Sequence, residues 1–113
     1  MSHRDWRERL NDILSCARNV HSFCEGLSFD AFLDDPKTIR AVAFELVTIG
    51  EAVRSIPVNF LDHIPGYPWG KMVGMRNVLI HEYYKLDEEI IWETCQKDIP
   101  VLIEFLEKMD PPG

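Results

Sequence analysis

No apolar run in the sequence approaches the roughly 18 residues needed to span a bilayer. The start, MSHRDWRERL, is charged from residue 3 and carries no apolar signal core. These absences argue against a membrane partner and point to a cytoplasmic protein. Cysteine is scarce: Cys16, Cys24 and Cys95 are odd in number and form no CxxC, which excludes a disulfide framework and leaves them as reduced core residues. The four histidines, His3, His21, His63 and His81, show no HxxxH spacing and no zinc-like pairing with cysteine, so neither metal nor cofactor is expected. A Gly-rich phosphate loop, a GxSxG elbow and an aromatic–basic alternation for single strands are all missing. Positive charge is in deficit too, with 12 Lys and Arg against 19 Asp and Glu and a net charge of −7. A general nucleic-acid coat protein is basic, so any RNA contact here has to be local.

What remains is the balance of a folding protein: 46% apolar and 27% charged residues in 113 positions, enough for a single domain over 1–113 with one core. The periodicity is helical throughout. Trp6, Leu10, Ile13, Leu14, Ala17, Val20 and Cys24 recur at three and four, giving a first helix that opens near Ser2. Ser28 caps a short second helix ending by Asp34. Asp35 then caps a third helix with Pro36 at its first position, and its stripe of Ile39, Val42, Ala43, Leu46, Ile49, Val53 and Ile56 runs until Pro57. PVNFLDHIPGYP reads as a turn or a single helical turn, and Pro68 opens a fourth helix through WGKMVGMRNVLIHEYY. Asp87 caps a fifth, which Pro100 is expected to kink because it has no N–H for the Gln96 carbonyl. Gly50 and Gly74 lie inside helices, where glycine is unfavourable, so close helix crossings are expected at both. The fold predicted is all-α, an up-and-down bundle of four to five helices.

The unusual chemistry is concentrated in Met75-Arg76-Asn77-Val78-Leu79-Ile80-His81-Glu82-Tyr83-Tyr84. At about 100° per residue Arg76 and His81 diverge by about 140°, so one ideal helix cannot converge them. Either the two side chains serve different purposes, or a second copy of the helix completes one cleft across a twofold axis. Two guanidiniums could then grip a phosphodiester while two imidazoles act as general base and general acid. A salt bridge from Arg76 to Glu45 or Glu51 is the structural alternative. Lys71 and Lys85 flank the motif and could add local positive field, or be ordinary surface lysines.

RNVLIHEY fits the Arg, four residues, His, one residue, Tyr pattern of HEPN domains, and GMRNVLIHEYYKLD resembles the HepT branch. The likeness extends through RDWRERLNDIL, GLSFDAFLDDPKTIRAV, LVTIGEAVRSIP, Pro68-Trp69 and IIWETCQKDIPVL. The resemblance implies a HEPN-like homodimer acting as the toxin of a toxin–antitoxin pair, a metal-independent endoribonuclease with Arg76 and His81 catalytic. Asn77 matches the polar residue that follows the Arg, and with Tyr83 and Lys71 it is a supporting or RNA-binding candidate. It also implies an MNT-type nucleotidyltransferase antitoxin and AMP transfer to Tyr83. Tyr84-Lys85 departs from the family's Phe-Gly and leaves open whether Tyr84 is modified too. The alternative is a non-catalytic helical module that presents a substrate to a minimal nucleotidyltransferase, which the acidic charge favours.

Overall fold

Short oxygen-bearing side chains and prolines set where the helices of the computed structural model begin. It describes residues 3–64, 66–82 and 87–109, with side chains from Trp6 onward. The elements are α1 (His3–Cys24), α2 (Phe29–Leu33), α3 (Pro36–Ser55), α4 (Val58–Leu61), α5 (Trp69–His81), α6 (Glu88–Glu93), a π-helical turn (Thr94–Asp98) and α7 (Ile99–Glu107). All regular structure among the described residues is helical. The cap expected at Ser2 lies outside them.

Three predicted caps are in place. The Ser28 hydroxyl accepts from the Ala31 N–H at 3.1 Å. Asp35 accepts the Thr38 N–H at 3.1 Å on one oxygen and the Thr38 hydroxyl at 2.6 Å on the other. Asp87 accepts the N–H groups of Glu89 and Ile90. Each satisfies helix-end donors that would otherwise lack partners. Two helix-bonded oxygens hold the Asp35 carboxyl below its ordinary range, the Thr38 hydroxyl contributing most.

The predicted stripes of α1 and α3 face each other and form the core. Trp6, Leu10, Ile13, Ala17, Val20 and Cys24 are buried from α1, with Leu14 packed at the margin. From α3 come Ile39, Val42, Leu46, Ile49 and Val53, followed by Ile56 at its end, while Ala43 is half-buried. Each fully buried aliphatic side chain contributes about 1.5–3 kcal/mol. The α7 residues Ile99, Leu102 and Leu106 close the other side of α1. Helix α5 packs along α3, away from α7 over most of its length.

Pro100 produces a widened turn and not the simple kink expected. The Ile99 N–H reaches back five residues to the Thr94 carbonyl, and the Thr94 hydroxyl donates to Ile90 O at 3.0 Å. One extra residue in the turn carries the chain past the carbonyl that the proline ring would otherwise strike. The three cysteines are free. Cys24 and Cys95 are buried side by side, and the contact with Cys24, with burial, pushes the Cys95 thiol up. Cys16 is half-buried and is pushed up to about 12, mainly by burial and then by Glu45. With their pKa values raised, Cys16 and Cys95 are inert packing groups, while the contact with Cys95 lowers that of the buried Cys24.

Candidate active site on the fifth helix

Proline at the start of α5 leaves it without a side-chain cap, and aromatic packing holds this end instead. Trp69 is buried against Tyr67 at 4.9 Å and Phe105 at 5.7 Å between ring centroids, and its indole donates to Ile64 O at 3.4 Å. The turn that delivers Tyr67 contains Gly66 at φ 110°, a left-handed conformation that a side chain would strain. Burial, then the Asp98 carboxylate, pushes the Tyr67 phenol up to about 12. Lys71 is exposed and pairs with Asp98 of the π turn at 3.7 Å. It therefore ties the start of α5 to the π turn.

Further along, α5 crosses α3 at Gly50. A Cβ built there would lie 2.3 Å from Arg76 Cβ and 2.7 Å from the Met72 carbonyl oxygen, so only glycine permits the crossing. Here the expectation for Gly50 holds. Gly74 differs: an added Cβ meets nothing within 4 Å, and the predicted close crossing at that position is absent from the chain's own contacts. Its side of α5 faces outward, away from α3.

The crossing places Arg76 against α3. Its guanidinium Nε lies in ion-pair contact with the Glu51 carboxylate, and the Arg76 side chain is only 15% exposed. Of the two carboxylates considered from sequence, Glu51 is the partner, while Glu45 accepts from Asn19 at 3.4 Å. Glu51 also accepts from Arg54 at 3.3 Å. Arg76 Nη1 donates to Asn77 Oδ1 at 2.8 Å, so within the chain Asn77 helps to hold Arg76. The guanidinium is thus held on two sides before any substrate arrives.

His81 is the last residue of α5 and is exposed. Glu82 leaves helical geometry at φ −132° and ψ 29°, its N–H bonding to Val78 O at 2.8 Å. The helix is described as far as His81, and the end expected from sequence at Tyr84 lies, with Tyr83 and Lys85, outside the described residues. Within one chain Arg76 turns toward α3 while His81 faces outward, as the predicted divergence requires.

Sequence reading missed one feature. A cleft of about 470 Å³ runs beside α3 and the end of α5, lined by Ala43, Phe44, Val47 and Leu79, with Arg40 and Glu88 as its charged members. Phe44, 69% exposed, was the signal: a large aromatic off the buried stripe of a helix. Among the described residues no group of three or more His, Cys, Asp or Glu is placed to hold a metal ion, and no helix is long and apolar enough to cross a membrane.

Comparison with known proteins identifies the family. The sequence model of the Ribonuclease HepT-like family matches residues 13–109. A protein of Thermococcus cleftensis named "Probable ribonuclease HepT" is 39% identical over 108 residues, covering 96% of each chain. A provisionally named RNase of Caldanaerobacter subterraneus subsp. tengcongensis is 45% identical over 96 residues, 85% of this chain and 86% of that one. A similarly named RNase of Methanocaldococcus jannaschii is 38% identical over 109 residues, covering 96% and 90%. No solved structure matches. With the family model covering residues 13–109 and relatives of 38–45% identity matching over most of the chain, the chain belongs to the HepT-like ribonuclease family.

Proposed function

We propose that the protein is a metal-independent endoribonuclease that acts as a homodimer, with Arg76 and His81 as its catalytic residues. The observation that carries this reading is an exposed His81 at the end of the same helix that bears Arg76, in a chain of the HepT-like ribonuclease family. The Arg76–Glu51 ion pair alone suits the structural alternative as well.

The need for two copies follows from α5. Gly70, Gly74, Asn77 and His81 are all exposed and fall on one face about 60° wide. The glycines let another backbone approach closely, and the exposed Val78 and Ile80 flank the face with apolar surface. A second copy seated there brings its His81 toward the first. One imidazole then takes the 2′-hydroxyl proton as that oxygen attacks the phosphorus, and the other protonates the departing 5′-oxygen. Arg76 stabilises the charge on the phosphorane-like transition state. The products are a 2′,3′-cyclic phosphate and a free 5′-hydroxyl.

We assign the protein the role of toxin in a toxin–antitoxin pair, opposed by an MNT-type nucleotidyltransferase. Tyr83, two residues beyond His81 in sequence, is the position for AMP transfer. A bulky anion near the phosphate site would exclude RNA. The test is incubation of purified protein with total RNA in excess EDTA, wild type beside His81→Ala. Cyclic phosphate ends from the wild type alone support the reading. Equal inertness of two folded, dimeric proteins overturns it in favour of the non-catalytic substrate-presenting module, which the net charge of −7 also suits.

A further inference from the structure

Glu51 belongs to a different helix from the motif, yet its carboxylate meets Arg76 at the point where Gly50 brings α3 and α5 too close for any other residue. We propose that Glu51 is a positioning residue for the reaction: its charge, in contact with the guanidinium at Nε, holds Arg76 so that the free edge of the guanidinium faces the scissile phosphate. This rests on the ribonuclease reading above.

The geometry gives the reason. Guanidinium N–H groups form a rigid fork whose separate edges can serve different oxygen partners. The Glu51 carboxylate lies in ion-pair contact with Nε, which is buried and makes no directed hydrogen bond, while Nη1 donates to Asn77; Nη2 is left for a phosphate oxygen. An arginine fixed in this way loses its rotamer freedom before RNA binds, so its charge is in place when the transition state forms. Glu51 is 49% exposed but Arg76 only 15%, so the pair also helps to hold α5 on α3, and a test has to separate that role from positioning. A carboxylate beside a phosphate site also repels RNA. Retaining one there makes sense where orientation outweighs binding.

The two effects oppose each other, and the opposition makes the test sharp. Glu51→Gln keeps the side-chain length and removes the charge. It should lower kcat by about 10- to 100-fold through misplacement of Arg76, while KM falls because the repulsion is gone. Loss of folded protein lowers apparent kcat but does not tighten KM, so a merely structural role cannot give this pair of changes. An unchanged or raised kcat with tighter binding overturns the proposal and makes Glu51 a competitor of the substrate.

A measurement on wild-type protein alone covers the case of a variant that fails to fold. The Arg76 Nε–H resonance, assigned by its absence in Arg76→Lys, should remain protected from exchange when 2′-O-methyl RNA binds. Exposure of that proton on binding means that RNA displaces Glu51 and sinks the proposal. Wild type that cleaves no RNA at all defeats the ribonuclease reading instead, and the Nε–H signal still reports whether Glu51 keeps its hold.

Discussion

Helices α3 and α5 cross at one glycine and differ in what stands off their buried stripes. Helix α3 gathers its buried residues, Ile39, Val42, Leu46, Ile49, Gly50 and Val53, on one stripe, so burial fixes its position along its whole length. Helix α5 buries Trp69, Met72 and Leu79 and leaves Val78 47% and Ile80 39% exposed. Its buried stripe, Trp69, Met72 and Leu79 with the largely buried Arg76 among them, packs along α3 and is anchored by aromatic contacts at its start, the Gly50 crossing and the Arg76–Glu51 contact. The face opposite this stripe stays uncovered and is free for chemistry. The polar motif occupies the helix that has this freedom.

The largest effects should separate the two helices completely. His81→Ala is expected to lower cleavage by about 10²- to 10⁴-fold. It should leave the urea midpoint unmoved, because His81 is exposed and makes no core contact. Leu46→Ala, at a fully buried position of α3, should do the reverse, costing about 2–5 kcal/mol of stability while the folded fraction cleaves normally. A His81→Ala protein that loses stability to a similar degree would mean that His81 helps to hold the fold. Glu51→Gln comes next, with its opposed changes in kcat and KM.

Gly50→Ala attacks the crossing itself. Its Cβ would lie 2.3 Å from Arg76 Cβ and 2.7 Å from a backbone carbonyl, so the helices must separate. The expected loss is about 1–3 kcal/mol, the usual range for overpacking, together with reduced cleavage as Arg76 shifts. Gly74→Ala is its counterpart on the open side of α5. With nothing within 4 Å, alanine should stabilise the chain by up to about 1 kcal/mol through helix propensity. In the proposed dimer the same methyl intrudes on a close approach, so sedimentation should show weaker self-association. Stabilisation without weakened association would remove Gly74 from the dimer face.

These glycines also mark how far the sequence could be read. The stripes of α1 and α3, the caps at Ser28, Asp35 and Asp87 and the break at Pro57 follow from local rules, and the structure reproduces them. Gly50 and Gly74 look alike in sequence, and one meets α5 while the other meets nothing, because a crossing depends on what the partner helix places opposite. The choice of Glu51 over Glu45 has the same origin. Both are α3 carboxylates, and the crossing selects Glu51 by placing Arg76 beside its neighbour Gly50. Pro100 announced a disturbance in the last helix, but whether it became a kink or a π turn depended on the donor and acceptor groups left free around it.

The smallest predicted effect distinguishes the starts of the two helices by their response to acid. Helix α3 begins at a titratable cap, Asp35, which bonds Thr38 through both oxygens, whereas α5 begins at Pro68 with no side-chain cap bond. Hydrogen bonds to the charged form depress the Asp35 pKa in the folded protein, the Thr38 hydroxyl being the larger cause. A depressed folded pKa means that the contribution is complete above the unfolded value, near 3.8, and fades as the pH falls through the lower folded value. Acidification through this window should speed hydrogen exchange at the Thr38 amide in the wild type. Asp35→Asn, which keeps an acceptor oxygen without a titrating group, should show no such acid-linked change at Thr38. The start of α5 should be indifferent to Asp35 in both proteins. Equal acid sensitivity at the Gly70 and Thr38 amides would show that α5 depends on a titrating group that its uncapped start does not display.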